Sequence, residues 1–191
     1  QMGAPEGFGE RIDEIVESGE PVWNDEVVFE DGGALARSYR SIELPDGRGH
    51  LWVYHDVSER RAREQRLEAL NQTARDLMTA DSREEVARIG VDAAQSILGL
   101  ESNAIHLYEP DEGLVPAAAT DRVDQLFDEL PVFTGGNSIA WRVFQQGDPE
   151  TVDDVHADGD HYNPETPIRS EVYFPLDEYG ILIAGATEPE A

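Results

Sequence analysis

The hydrophobic pattern of the first 56 residues predicts one short helix followed by three strands. Residues 8–18 place Ile12, Ile15 and Val16 on one face of a helix that ends at Gly19. Three later runs alternate apolar and polar side chains and are bounded by Gly, Pro and Asp, as strands joined by tight turns are. These runs lie at 22–29, 34–44 and 51–55. We therefore expect an antiparallel meander after a helix.

The next segment, residues 57–80, is rich in charge, contains no Gly or Pro, and carries the spacing of a coiled-coil seam. Its apolar positions are separated by three, four and three residues: Leu67, Leu70, Ala74 and Leu77. A helix with so short a seam is marginal alone in water. We predict that it pairs with the same helix of a second chain in a homodimer; packing within its own chain is the alternative.

From residue 81 onward, helices and strands are mixed without regular βαβ alternation. Ser82 and Glu85 form a capping box. The helix that follows is predicted to bury Val86, Ile89, Ala93 and Ile97, and a second helix is predicted at 139–146. Strands are predicted at 102–108, 114–120, 150–152, 170–176 and 179–186. The fold class predicted for the chain is α+β, with an antiparallel sheet and flanking helices.

The charge and the Cys content of the chain argue against several classes of function. The 191 residues include 41 acidic and 14 basic ones, all 14 of them Arg, for a net charge of −27. Such a surface repels phosphates and anionic lipid, so we expect no direct nucleic acid binding by this segment and no membrane association. No apolar run or leader sequence is evident, and a cytoplasmic location is expected. The absence of Cys excludes disulfides, thiolate metal sites and cysteine nucleophiles.

The acidic residues are spread evenly among 39% hydrophobic residues, which indicates a folded protein rather than a disordered acidic tail. Acidic residues in place of Lys, with Arg retained, resemble the composition of cytoplasmic proteins of halophilic archaea. Molar salt screens charges within a few Å, so the repulsion costs little there.

The residues at the end of the predicted meander carry a family resemblance. The string His55-Asp56-Val57-Ser58-Glu59-Arg60-Arg61, with the two hairpin turns before it, resembles the C-terminal half of a PAS domain. In that family the string lies where the last strand leads into a signalling helix. The resemblance implies that residues 1–56 are the C-terminal part of a PAS domain and that residues 57–80 are a signalling or linker helix.

Later segments resemble the GAF domain family. Residues 138–149 resemble its helix and Gly-x-Pro turn, and residues 168–176 and 179–186 resemble its last two strands. The resemblance implies a GAF domain at 81–191 without its final helix. A PAS–helix–GAF order in an acidic chain is similar to bacterio-opsin activator-like regulators and sensor kinases of haloarchaea, and implies a fragment whose DNA-binding or kinase output lies elsewhere.

The same resemblance implies a sensory or regulatory function. The GAF domain would sense a small ligand or a partner and relay the signal through a dimeric linker helix. The alternative is a ligand-free dimerisation or interaction module of a transcriptional regulator. No GxGxxG, P-loop, HExxH or GxSxG motif occurs, so we expect no enzymatic activity, and the sequence identifies no cofactor.

Candidate ligand-binding residues follow from the helix that borders the pocket in GAF domains and from nearby strands and loops. They are His106, Phe133, Gly136, Asn137, Ser138, Trp141, Tyr162 and Tyr173. Backbone N–H groups at residues 135–138 could hold an anion, and N-capping of the helix by Asn137 or Ser138 is the alternative. The absence of Lys excludes the Asn-Lys-x-x-x-Phe signature of cyclic-nucleotide-binding GAF domains, and the absence of Cys excludes a covalent bilin.

One acidic segment resembles a Ca²⁺-binding loop in its spacing. Its candidate ligands are Asp154, Asp158, Asp160 and Glu165, with Gly159 at the turn position. His156 at the third position is a poor Ca²⁺ ligand, and a transition-metal cluster that uses the histidines is a further alternative. In so acidic a chain such matches arise by chance, so we predict a solvated loop and no metal.

Overall fold

The computed structural model describes residues 7–136, 138–160 and 162–188. It divides the chain into two compact units, Gln1–Glu68 and Ala69–Ala191. The helices in the described residues are α1 (Phe8–Ser18), α2 (Ser58–Thr79), α3 (Arg83–Leu98), α4 (Asp121–Leu126) and α5 (Ile139–Gln146). The strands are β1 (Val22–Val28), β2 (Ala34–Leu44), β3 (Gly47–Asp56), β4 (Asn103–Glu109), β5 (Gly113–Ala119), β6 (Glu150–Val152), β7 (Ser170–Pro175) and β8 (Gly180–Ala186). The predicted α+β class is confirmed.

The first unit is an antiparallel meander in the order β1-β2-β3, preceded by α1. Its buried centre lies on β2, where Tyr39 packs against the Trp52 ring at a centroid distance of 4.7 Å. Arg37 is also buried, and its Nε donates to Asp25 Oδ2 on β1 at 2.7 Å. This ion pair supplies a partner for a charge that would otherwise be costly to bury.

The Asp-Val-Ser-Glu-Arg-Arg string fixes the start of α2 against the meander. The Ser58 hydroxyl accepts from the Ala34 amide at 2.8 Å, and Asp56 Oδ1 accepts from the Ser58 amide at 2.9 Å. Glu26 on β1 accepts hydrogen bonds from both Arg60 and Arg61. These two arginines, Arg61 foremost, hold the pKa of Glu26 below its ordinary value.

Helix α2 has 22 residues and no buried side chain among them. The seam leucines are open to solvent in the single chain, with Leu67 54% and Leu70 51% exposed. No helix in the described ranges has both the length and the apolar character needed to cross a membrane.

The second unit contains a five-stranded antiparallel sheet in the order β5-β4-β8-β7-β6. Helix α3 covers one face, where Ala87 and Val91 pack against Ile105 of β4. The approach is close, because a Cβ at Gly90 would lie 2.8 Å from Ile105 Cδ1. The predicted buried stripe of this helix is therefore wrong: its buried residues are Ala87, Val91 and Ala94, and Val86 is exposed. The helix buries the small residues because they allow it to lie against the sheet.

The opposite face carries the larger core. Leu114, Ile181 and Tyr173 from the strands pack there with Ile139 and Val143 from α5. Two short elements of this unit were not predicted from the sequence. They are helix α4 and a 3-10 turn at Val155–Ala157, which begins at the Asp154 cap.

Candidate ligand-binding cavity

A cavity of about 470 Å³ lies in the second unit, on the sheet face opposite α3. Strands β4, β7 and β8 provide its floor. Its walls come from the segment that follows α4, from the first turn of α5 and from the loop between β6 and β7. A volume of this size accommodates a small organic molecule.

The floor is built from side chains that alternate along each strand. One row across the sheet contains Ala104, its partner Ile183 on β8, and Tyr173 on β7, which pairs with Ile183. A neighbouring row pairs Gly185 with Glu171. Gly185 is required for space, because a Cβ there would lie 2.9 Å from Ile168 Cγ2. The missing side chain lets the β6–β7 loop lie against the sheet.

His106 on β4 is a buried member of the wall, only 2% exposed. Its Nε2 lies 3.2 Å from the Pro131 carbonyl oxygen. A carbonyl only accepts, so Nε2 carries the proton and Nδ1 carries a lone pair. That Nδ1 is buried without a hydrogen-bond partner among the described residues. Burial outweighs the bond to Pro131 and lowers the pKa of His106 to about 4, so the imidazole is neutral at pH 7.

A carboxyl and a phenol form a second polar feature of the floor. The Tyr173 hydroxyl donates to Glu171 Oε2 two residues earlier on the same strand face. Burial raises the pKa of Glu171, and the Tyr173 hydrogen bond opposes this shift. Burial and the adjacent carboxylate also raise the pKa of Tyr173 well above its ordinary value. The Tyr173 hydroxyl thus occupies one carboxylate oxygen of Glu171. The other oxygen is available to a ligand.

Aromatic rings form part of the remaining wall. Phe133 lies 4.9 Å from the His106 ring and perpendicular to Tyr162, with a centroid distance of 5.5 Å. Phe127 also lines the cavity. The wall therefore combines apolar faces with a small number of polar groups, as small-molecule sites do.

Arg142 on α5 ties down the loop that covers the cavity. Its guanidinium donates to Asp158 at 2.9 Å, to Asp160 at 2.8 Å and to Glu150 at 2.7 Å. These carboxylates, Asp158 foremost, raise its pKa against the opposing effect of burial. The β6–β7 loop is thus held to α5 and to β6 by one side chain.

The same contacts account for the acidic segment with Ca²⁺-loop spacing. Asp158 and Asp160 bind Arg142, and Asp154 caps the 3-10 turn and binds Arg169 at 3.3 Å. The fourth candidate, Glu165, is exposed and donates its backbone N–H to Asn163. Across the described ranges no group of three or more His, Asp and Glu side chains is arranged to hold a metal ion, and His161 lies outside them.

The structure places five of the eight predicted ligand-binding residues in the cavity wall: His106, Phe133, Ser138, Tyr162 and Tyr173. Ser138 also caps α5, since its hydroxyl accepts from the Trp141 amide at 3.3 Å. Whether these residues bind a ligand stays a prediction.

Of the other three predicted residues, two lie outside the cavity wall. Trp141 is not a lining residue; its ring packs between Tyr108 and Phe144, because successive helix positions face different directions. Gly136 is not a lining residue either, and Asn137 lies outside the described residues. Sequence reasoning missed Glu171. The signal that could have found it is strand alternation, which places residues 171 and 173 on one face.

A model of the GAF domain family matches residues 80–191, more than half of the chain. The chain belongs to the GAF domain family. Among solved structures, it resembles the GAF domain of an Acinetobacter phosphoenolpyruvate-protein phosphotransferase with a TM-score of 0.55 and 13% identity, over 66% of this chain and 80% of that one. The GAF domain of the Coxiella burnetii phosphoenolpyruvate-protein phosphotransferase gives a TM-score of 0.51 and 18% identity, over 64% and 78%.

A third similar structure is an enzyme. Free methionine-R-sulfoxide reductase from Neisseria meningitidis, in complex with its substrate, gives a TM-score of 0.51 and 20% identity over 65% of this chain and 74% of that one. At these identities the likeness concerns the fold. No curated protein matches the chain. GAF domains are sensory and regulatory modules of signalling proteins.

Proposed function

We propose that this GAF domain is a sensory module that binds a small ligand in the cavity between the sheet and α5. The observation that supports the proposal is the cavity itself: about 470 Å³ of accessible space on one face of the sheet, lined by aromatic and hydrogen-bonding side chains. The neutral His106 and the Glu171–Tyr173 pair place hydrogen-bonding groups beside the apolar and aromatic faces of the wall.

The proposed output route is helix α2. Its leucines at positions 67, 70 and 77 are exposed in the single chain, which supports pairing with α2 of a second copy. Ligand binding would then bias the register or crossing angle of the paired helices, a two-state element of the kind that signalling proteins use. The alternative is a dimerisation module that needs no ligand.

The proposal also extends to the rest of the chain. The first unit would be the C-terminal part of a PAS domain, supported by its meander and by the contacts of Ser58 and Glu26 at the start of α2. The acidic surface suits a salt-adapted cell such as a haloarchaeon. The role proposed here is regulatory, and the absence of Cys excludes the cysteine chemistry that GAF-like reductases need.

Native mass spectrometry of protein purified from a halophilic host tests the ligand. The expected result is a retained small molecule that is lost on unfolding. Ala104→Leu, which adds bulk to the cavity floor, should abolish retention, whereas Ala157→Leu, at an exposed position that does not line the cavity, should not. Retention by both variants would contradict binding in this cavity, and a dimer that retains nothing would favour the ligand-free alternative.

A further inference from the structure

The charge of the cavity wall indicates which class of ligand it accepts. Among the described residues that line it, none is Arg, and the chain has no Lys. The remaining basic group, His106, is neutral because burial lowers its pKa to about 4. The wall also contains two carboxyl side chains, the floor residue Glu171 and the exposed Glu129. Among these described residues an anion would meet no fixed positive side chain to offset its desolvation.

Arg142 does not change this balance. It lies outside the wall, and its guanidinium is already bound by the carboxylates of Asp158, Asp160 and Glu150. Three negative groups around one positive group leave the surroundings of the cavity negative. The net charge of −27 on the chain adds a long-range field of the same sign.

Glu171 supplies a specific partner for a positive group. Within the described part of the chain, its carboxyl has one hydrogen-bond partner, the Tyr173 hydroxyl on Oε2. A carboxylate accepts several hydrogen bonds, so Oε1 is able to accept one from a ligand. Burial disfavours its charge in the free protein, and a bound cation would offset that penalty.

The aromatic walls favour the same ligand class. The Phe133 and Tyr162 rings stand at 90° to each other at 5.5 Å, and Phe127 and Tyr173 add further ring surface. The negative face of an aromatic ring attracts an alkylammonium group, and each ring face that these contacts leave uncovered is available to one. The unpartnered Nδ1 lone pair of His106 adds an acceptor and no competing donor.

We propose, on the basis of the sensory function above, that the cavity binds a small organic cation, with its ammonium group between the Glu171 carboxylate and the aromatic walls. The competing site for an anion is the first turn of α5, which also lines the cavity. That turn is already capped by the Ser138 hydroxyl, and no described cation stands beside it in the wall. The test must therefore also be able to detect the binding of an anion.

Isothermal titration calorimetry in 2 M KCl provides the test, with three probes. Choline carries the quaternary ammonium, 3,3-dimethylbutan-1-ol has the same shape without the charge, and cyclic GMP is an anion. The expected result is that choline binds at least about ten-fold more tightly than its neutral analogue, and that cyclic GMP does not bind. This comparison needs no variant.

A matched pair of variants locates the charge. Glu171→Gln should weaken choline binding at least about ten-fold and leave the neutral analogue unchanged. Glu178→Gln removes the same charge from an exposed turn outside the cavity wall and should change neither affinity by more than about two-fold. Circular dichroism confirms that each variant is folded before titration.

The outcomes separate this inference from the proposed function. Equal binding of choline and its neutral analogue, tighter binding of cyclic GMP, or an unchanged choline affinity in Glu171→Gln would overturn the cation class. A neutral or anionic molecule retained in native mass spectrometry would also overturn it while leaving the sensory function in place. If no probe binds and no molecule is retained, both proposals fail.

Discussion

His106 makes the stability of the second unit depend on pH in a predictable direction. The folded imidazole has a pKa of about 4, against an ordinary value of 6.5 in the unfolded chain. Between these values the unfolded state binds more protons than the folded state, so the free energy of unfolding falls as pH falls. This one group should cost about 2.5 kcal/mol between pH 7.5 and 4.5.

The measurement is denaturant unfolding at both pH values in 2 M KCl, followed by Trp141 fluorescence with Trp23 and Trp52 replaced by Phe. His106→Gln should lose much less stability on acidification than the parent protein, and the exposed His55→Gln should match the parent. Protonation of surface carboxylates acts equally in all three proteins and cancels in the comparison. An identical pH dependence in His106→Gln would contradict a buried neutral imidazole.

At the residue scale, the sequence predicted the role of a residue best where that residue type has one common role in local structure, such as capping a helix. Ser82 was predicted as a cap, and its hydroxyl accepts from the Glu85 amide at 3.1 Å. Trp141 was assigned to the cavity because its helix borders the pocket in GAF domains, and helix geometry turns its ring away. Glu171 was missed because one acidic residue does not stand out in so acidic a chain. It becomes a candidate only when the face of the strand on which it lies is known.

At the element scale, the predicted ranges mostly agree with those of the structure, and two short elements were missed. The predicted ranges of α5 and β6 match those of the structure, while the six residues of α4 contain too little periodicity to be detected. The stripe of α3 was wrong because periodicity alone favoured the larger residues Val86, Ile89 and Ile97. The sheet instead selects Ala87, Val91 and Ala94, which pack closely.

Arg142 should control the order of the loop over the cavity. Arg142→Met removes the shared partner of three carboxylates and leaves them facing one another on the β6–β7 loop and β6. We expect a loss of about 2 kcal/mol and faster amide hydrogen exchange across residues 153–168. Hydrogen exchange with mass spectrometry measures this directly.

Arg88→Met is the matched control, because Arg88 forms ion pairs of 3.4 and 3.7 Å on the exposed surface of α3. It should change stability by less than about 0.5 kcal/mol and leave the loop exchange unaltered. Equal protection of residues 153–168 in the two variants would show that the loop is held by its apolar residues rather than by Arg142.

For the whole molecule, the first prediction concerns pairing through α2. Leu67, Leu70, Ala74 and Leu77 form one stripe that a parallel dimer would bury, and each buried Leu contributes on the order of 2 kcal/mol. Leu70→Glu places like charges across the seam and should shift the protein toward monomer without unfolding either unit. Sedimentation velocity at tens of micromolar in 2 M KCl measures the change.

Met78→Glu is the control for that substitution. Met78 is 86% exposed and lies next to the stripe rather than on it, so the same charge there should leave the dimer intact. A monomeric parent protein, or a Leu70→Glu variant that remains fully dimeric, would remove α2 as the pairing surface. Signal transfer along it would then have no physical basis.

The second whole-molecule prediction concerns salt. The acidic side chains cover both units, and with 14 Arg against 41 acids most carboxylates have no cation to pair with. At 0.1 M salt their repulsion extends over about 10 Å, and at 1 M over about 3 Å. Raising KCl from 0.1 to 2 M should therefore stabilise the fold by about 2 kcal/mol, roughly 6 °C in melting temperature.

A variant in which several carboxylates are replaced by neutral side chains distinguishes two effects of salt. One is the screening of charge, and the other is a general strengthening of apolar burial. Five exposed acids of the second unit form no ion pair with the described residues: Glu84, Asp111, Asp128, Asp148 and Glu178. With all five changed to Gln or Asn, the melting temperature in 0.1 M KCl should rise and its salt dependence should shrink, because fewer charges remain to be screened. Circular dichroism melts of both proteins at several KCl concentrations decide the question. An equal salt response in the two would attribute the effect to apolar burial, and a melting temperature independent of KCl would exclude adaptation of the acidic surface to high salt.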